Sequence, residues 1–199
     1  MSVELLGAVN SFSSSANALA EDLGRVVVEV RSGGAGCGAG IVWGSSGLVV
    51  TNAHCVPHRD SVDVRAARRW HAARTIAIHP RHDLALLAAG SISGRTLECR
   101  DATSLRAGEL VFAFGHPLGV RGALAMGVVH GVALDARTNQ PRWIVADIGL
   151  APGNSGGPLV DAEGRLVGIN SMVVNGLGVA VPVDIVARFV ERSLATRAA

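Results

Sequence analysis

The chain has 199 residues, 49% of them hydrophobic, enough for one large domain or two small sub-domains sharing an interface. Its net charge of +2 gives no strong pull toward nucleic acid, and all 18 basic residues are scattered Arg; the densest stretch, residues 65–74, reads as a solvated strand or loop. No apolar run reaches the roughly 18 residues that a bilayer requires, and three cysteines at irregular spacing make neither a disulfide framework nor a zinc site.

The N-terminus lacks a basic n-region and a continuous apolar core, so it does not read as a signal peptide. The expected compartment is therefore the cytoplasm, or an exported one if the chain lacks its targeting segment. Leu5, Leu6, Val9, Phe12, Ala16, Leu19, Ala20 and Leu23 recur at three- and four-residue steps. They predict an amphipathic helix over residues 3–23, with an interruption at Ser11–Ser15 and an end at Gly24. Short apolar runs follow at 26–30, 40–43, 48–51, 62–64, 75–79 and 84–88, with a hairpin signal at Gly44-Ser-Ser-Gly47. Residues 90–108 are polar and turn-rich and read as a connector. A second set of runs occupies 110–114, 123–130, 143–147, 159–161, 166–171 and 178–181. Asp184 is the expected N-cap of a closing helix striped by Ile185, Val186, Phe189, Val190 and Leu194. So many short strands bury their edges best in closed or nearly closed barrels. No sequence repeat is visible.

Three segments carry chemistry. In Ala151-Pro-Gly-Asn-Ser155-Gly-Gly-Pro-Leu159 a serine is ringed by glycines. A hydroxyl needs a base to take its proton and donors to hold the developing oxyanion. Small neighbours would let substrate approach and let backbone N–H groups converge, with Gly153 and Ser155 as candidate donors; the bland alternative is a glycine-rich turn. The same residues fit G-x-S-x-G, whose hydrolase class needs its acid and its histidine after the serine. No histidine follows Ser155, which excludes that class and leaves the order His, Asp, Ser. His54 ends the β-like run that begins at Val49, and Asp83 immediately precedes Leu84–Leu87. An acid there could orient the imidazole.

Thr51-Asn-Ala-His54-Cys55, Asp83-Leu-Ala-Leu and Gly153-Asn-Ser155-Gly-Gly-Pro resemble the signature blocks of trypsin-like serine proteases. Ala113–Gly119, Gly127–Gly131, Asp147–Ser155, Gly168–Asn170 and Gly178–Pro182 are more similar to the HtrA/Deg branch. The resemblance spans roughly residues 24–184. It implies an all-β fold of two six-stranded antiparallel barrels with an N-terminal and a C-terminal helix. The expected divisions are a helical segment 1–23, first barrel 24–90, connector 91–107, second barrel 108–183 and C-terminal helix 184–199. It implies a triad of His54, Asp83 and Ser155, and an oxyanion hole at Gly153, Asn154 and Ser155. Gly149 would floor the primary pocket, with Ser171, Met172 and Val173 as its wall; no carboxylate is there, so a small apolar P1 residue is expected.

Several departures from that branch are visible. The chain has no room for a PDZ domain after Pro182; Ala151 and His116 stand where the branch usually has asparagine. Cys37 and Cys55 resemble the pair bridging the histidine loop of secreted trypsin-like enzymes and are expected to be neighbours. Asn154 replaces the aspartate that pairs with a cleaved N-terminus, so no proteolytic activation is expected. The leading expectation is a serine endopeptidase acting on unfolded or exposed protein segments, with no cofactor and no metal. The alternatives are a non-catalytic peptide-binding or chaperone-like member, and an esterase or acyltransferase. His79 and His82 lack an evident third ligand for a metal. Residues 3–23 could support a homo-oligomer, as a trimer, or pack on the chain's own barrel.

Overall fold

The computed structural model describes the backbone of residues 3–58, 60–90, 92, 94 and 96–198, and their side chains apart from those of residues 3–5, 35–37 and 198. The side chain of Cys37 lies outside the described residues, and the expected Cys37–Cys55 contact with it.

Helix α1 (Val3–Gly24) leads into strands β1 (Val27–Ser32), β2 (Ala35–Trp43), β3 (Leu48–Thr51), β4 (Val62–Ala66), β5 (Arg69–His79) and β6 (Leu84–Ala88). Strands β7 (Leu110–Gly115), β8 (Ala123–Leu134), β9 (Pro141–Asp147), β10 (Pro158–Asp161), β11 (Leu166–Val174) and β12 (Leu177–Pro182) precede helix α2 (Val183–Ala198). The first six close a barrel in the order β1-β2-β3-β6-β5-β4. The second six close another, in the order β7-β8-β9-β12-β11-β10. Adding six to each label of the first order gives the second. The repeat absent from the residues is present in the topology, because closure constrains strand order and pleat while many apolar sets can fill the interior.

Continuous apolar runs, rather than alternation, mark strands buried on both faces. In β6, Ala85 and Leu87 point into the first barrel with Val28, Val30, Val49 and Val64. Leu84 and Leu86 point the other way, into a shared core with Phe112, Phe114, Leu166, Ile169 and Phe189. That shared core joins both barrels to Leu23 of α1 and to α2, while Val111, Val129, Ile144 and Leu159 fill the second barrel.

Helix α1 runs unbroken through the serines, contrary to the expected interruption: Ser15 Oγ donates to the Ser11 carbonyl one turn earlier at 3.0 Å, so the hydroxyl is satisfied inside the helix. Its last turns pack Leu19, Ala20 and Leu23 on the core, while Leu6, Val9 and Phe12 stay exposed. Asp184 is not an N-cap. It lies in the first turn of α2, and its carboxylate accepts from the Ala102 N–H of the connector at 3.1 Å.

Arg100 fastens the connector to the second barrel. Its guanidinium donates to Glu109 at 2.6 and 3.1 Å and to the buried Asp161 at 3.3 Å. Asp161 also takes Arg165. Arg100→Ala should therefore lower unfolding stability by about 2 kcal/mol, the loss of charged hydrogen bonds with Asp161 still held by Arg165. Denaturant unfolding checks this, and an unchanged midpoint would refute it.

Candidate active site

Strand register brings the histidine and the acid together. Thr51 at the end of β3 pairs with Ala85 at the start of β6, so the residues just after the one and just before the other share an edge. His54 lies in a single 3-10 turn, Ala53–Cys55, following β3. Asp83 caps the turn Pro80–His82 and takes left-handed backbone angles (φ 52°, ψ 44°). A short polar side chain tolerates that conformation at modest cost, and the turn is tied down: the Asp83 carbonyl accepts from Ala53 N at 3.0 Å and Asn52 Nδ2 at 2.9 Å.

Three donors converge on the Asp83 carboxylate. The His54 ring Nδ1 donates to Oδ2 at 2.8 Å, the His54 backbone N–H to Oδ1 at 3.0 Å, and Ser171 Oγ to Oδ2 at 2.7 Å. Burial alone would push this carboxyl up, but those hydrogen bonds outweigh it and hold the pKa below the ordinary value. The same hydrogen bond raises the His54 pKa well above 6.5, with Cys55 adding to the effect and burial opposing it.

Ser155 reaches the same cleft from the second barrel. Its carbonyl accepts from Ala39 N of β2 at 2.7 Å, which pins the serine turn to the first barrel. Its Oγ donates to the Ser171 carbonyl at 3.3 Å. A bulge in β11 between Asn170 and Met172 sets Ser171 out of register. Bulges re-aim side chains, and this one serves two contacts at once, hydroxyl to Asp83 and carbonyl to Ser155.

The glycines beside Ser155 have structural neighbours rather than open space. A Cβ on Gly156 would collide with the Ala39 carbonyl and Thr51 Oγ1, and one on Gly157 with the Phe114 carbonyl. Upstream, Ala151–Asn154 form a tight turn closed by Asn154 N to Ala151 O at 2.9 Å. Pro152 and Gly153, at φ 108°, take its central positions as a type II turn prefers. The Asn154 N–H, expected in the oxyanion set, is thus occupied by the turn. The N–H groups of Gly153 and Ser155 make no hydrogen bond among the described residues. Pro152 O accepts from Leu118 N at 3.2 Å, so planarity of the trans peptide aims the Gly153 N–H the opposite way.

The cleft encloses about 400 Å³ and is lined by His54, Leu150, Pro152, Ser155, Met172 and Val173, among others. Ser171 also borders it, but its side chain is buried toward Asp83. Gly149 is not on the lining. Leu150 takes that place, packed where Gly178 has no side chain. His116, marked in the sequence only as standing where the branch usually has asparagine, braces the turn: its N–H donates to the Gly153 carbonyl at 2.9 Å, and its Nδ1 accepts from Gly122 N at 3.2 Å. Its place in Gly115-His-Pro-Leu-Gly119 was the available signal. His79 and His82 stack at 4.7 Å, and no group of three or more metal-ligating side chains occurs among the described residues.

The family described as the trypsin-like peptidase domain matches residues 38–169. The chain belongs to the trypsin-like peptidase family. Within it the similarity is to HtrA/Deg proteins. A probable periplasmic serine endoprotease DegP-like of Pseudomonas putida is 36% identical over 157 residues, 74% of this chain and 33% of that protein. The mitochondrial serine protease HTRA2 of Drosophila grimshawi is 34% identical over 169 residues, 80% of this chain and 40% of that protein. The chain thus spans about a third of the length of such relatives. In fold it is similar to the HtrA-type protease AlgW with decapeptide, at a TM-score of 0.79 and 21% identity, covering 90% of this chain and 67% of that one.

The raised His54 pKa makes a signed prediction. Stability from this pairing is fully present below pH 6.5 and is lost as pH rises through the folded-state value. The His54 ring, followed by NMR titration, should lose its proton above 6.5, and Asp83→Asn should bring that midpoint down. A wild-type midpoint below 6.5 would contradict the geometry.

Proposed function

We propose that the chain is a serine endopeptidase in which Ser155 is the nucleophile, His54 the general base and Asp83 the group that fixes the base. The carrying observation is the 2.8 Å bond from His54 Nδ1 to Asp83, with Ser155 in the same cleft. With Nδ1 holding its proton against Asp83, Nε2 is the basic nitrogen. A rotation about the Ser155 side chain exchanges the bond to the Ser171 carbonyl for one to Nε2. In its neutral form, which gains population as pH rises toward the raised His54 value, His54 takes the hydroxyl proton as Oγ attacks the peptide carbonyl, and returns it to the leaving amine. The acyl-enzyme formed is hydrolysed by water with His54 again as base. Gly153 N–H and Ser155 N–H, both without partners among the described residues, stabilise the oxyanion.

Asn154 supports activity without proteolytic maturation: its Oδ1 already accepts from Ala151 N at 3.0 Å, so the turn is held by its own residues. The substrate is a protein, in keeping with the endoprotease name of a relative, and an exposed or unfolded segment of it is what an open cleft between barrels can admit. Leu150, Met172 and Val173 give the cleft an apolar lining, which fits Val, Ala or Leu at P1. One methylene there discriminates by only about 1–3 kcal/mol, so selectivity is loose. The Ser155–Ser171 bond favours a second reading, a resting or peptide-binding member that does not cleave. The exposed Leu6, Val9 and Phe12 further support self-association through α1.

A peptide library incubated with the protein should be cut after small apolar residues. Ser155→Ala should lose about 10⁶-fold in kcat. Cleavage dominated by P1 Arg would sink the pocket assignment, and a function surviving Ser155→Ala would establish the binding reading. For association, sedimentation should show an oligomer that Leu6→Asp, Val9→Asp and Phe12→Asp together dissociate; a monomeric wild type would refute that role.

A further inference from the structure

A second cavity lies behind the acid, away from the Ser155 cleft. It encloses about 370 Å³ between β5, the Pro80–His82 turn and α2. Ile76, Ile78, Ile185 and Phe189 supply apolar lining, and Arg188, Arg192 and Arg197 supply cations along one side of α2. No carboxylate of the described residues lines it. Among the described residues none of these three guanidinium groups has a carboxylate within ion-pairing distance, although Arg31, Arg65, Arg100 and Arg165 elsewhere all do. Arg188 and Arg192 stand one helical turn apart, a spacing at which like charges repel. Nothing in the fold requires that repulsion, because both side chains belong to exposed residues.

The histidine pair forms the wall beside these cations. His79 stacks on His82 and meets the edge of Phe189 at 6.0 Å. Nδ1 of each imidazole is buried and makes no hydrogen bond among the described residues. His82 is held below its ordinary pKa by burial first, and then by His79, Arg81, Arg142 and Arg188, all of positive sign. An uncompensated cationic rim over an apolar floor is complementary to one class of ligand, an anion with an apolar body.

We infer that this cavity is a binding site for a carboxylate borne on a compact apolar body, the carboxylate held by Arg188 and Arg192 and the body lying on Ile78, Ile185 and Phe189. A medium-chain fatty acid and the C-terminal residue of an apolar peptide share that chemistry. The inference does not depend on the proteolytic reading, since no group in the Ser155 cleft takes part.

Isothermal titration of the whole chain tests it with octanoate, octanol, inorganic phosphate, acetyl-Leu-Ile and acetyl-Leu-Ile amide. Octanoate or the free-acid dipeptide should bind saturably at one site, more weakly at high salt. The tighter of the two names the source. Octanol and the amide should bind at least about tenfold more weakly, as should either acid to Arg188→Ala/Arg192→Ala, because a charged hydrogen bond contributes about 1.5–3 kcal/mol. Circular dichroism of that variant should match wild type; Arg188→Gln/Arg192→Gln serves if it does not. Absence of saturable binding by both acids, equal binding by octanol, or unchanged affinity in a folded variant would overturn the site. Phosphate binding as tightly as octanoate would overturn the apolar-body assignment.

Discussion

The Asp83 carboxylate is the point on which the site depends, because it is where the two barrels share a charge. The first barrel supplies two of its donors, the His54 ring and backbone N–H. The second supplies the third, Ser171 Oγ. A partly buried carboxylate is tolerated only with its lone pairs satisfied, so each donor stabilises the charge that orients the others. Separation of the barrels would remove the serine from the acid and the acid from its compensation together. The backbone bond from Ala39 to the Ser155 carbonyl spans the same junction and fixes the height of Ser155 relative to His54. The positions of the histidine, acid and serine are thus consequences of barrel–barrel packing more than of any one loop.

Much of this was readable from residues alone. All twelve strands fall on the apolar runs, and chain order separated the His, Asp, Ser arrangement from the rival hydrolase order. What could not be read were contacts created by irregularity. Ser171 sits in an apolar run and looked like a pocket wall, because a bulge that turns its hydroxyl toward Asp83 has no local sequence signal. Leu150 replaced Gly149 on the cleft lining because its packing is set by Gly178, 28 residues away in sequence. Asp184 matched a cap by pattern, yet its carboxylate serves the connector. The serines of α1 seemed to break a helix that their own hydroxyls can satisfy.

The glycines around Ser155 change meaning in the same way. Read as a sequence, they clear space for substrate. In the fold, the missing side chains of Gly156 and Gly157 are filled by the carbonyls of Ala39 and Phe114, one from each barrel. Gly38 approaches the Ser155 carbonyl and Cys55 Sγ from the opposite side. Backbone can approach backbone this closely only where no Cβ intervenes. The glycine-rich motif is therefore an assembly device that lets the Ser155 turn be gripped by both barrels. Gly153 is different: its φ of 108° belongs to the turn itself, and its N–H is left without a partner among the described residues. Of the glycines flanking Ser155, the upstream one shapes the turn, and the two downstream hold that turn in place.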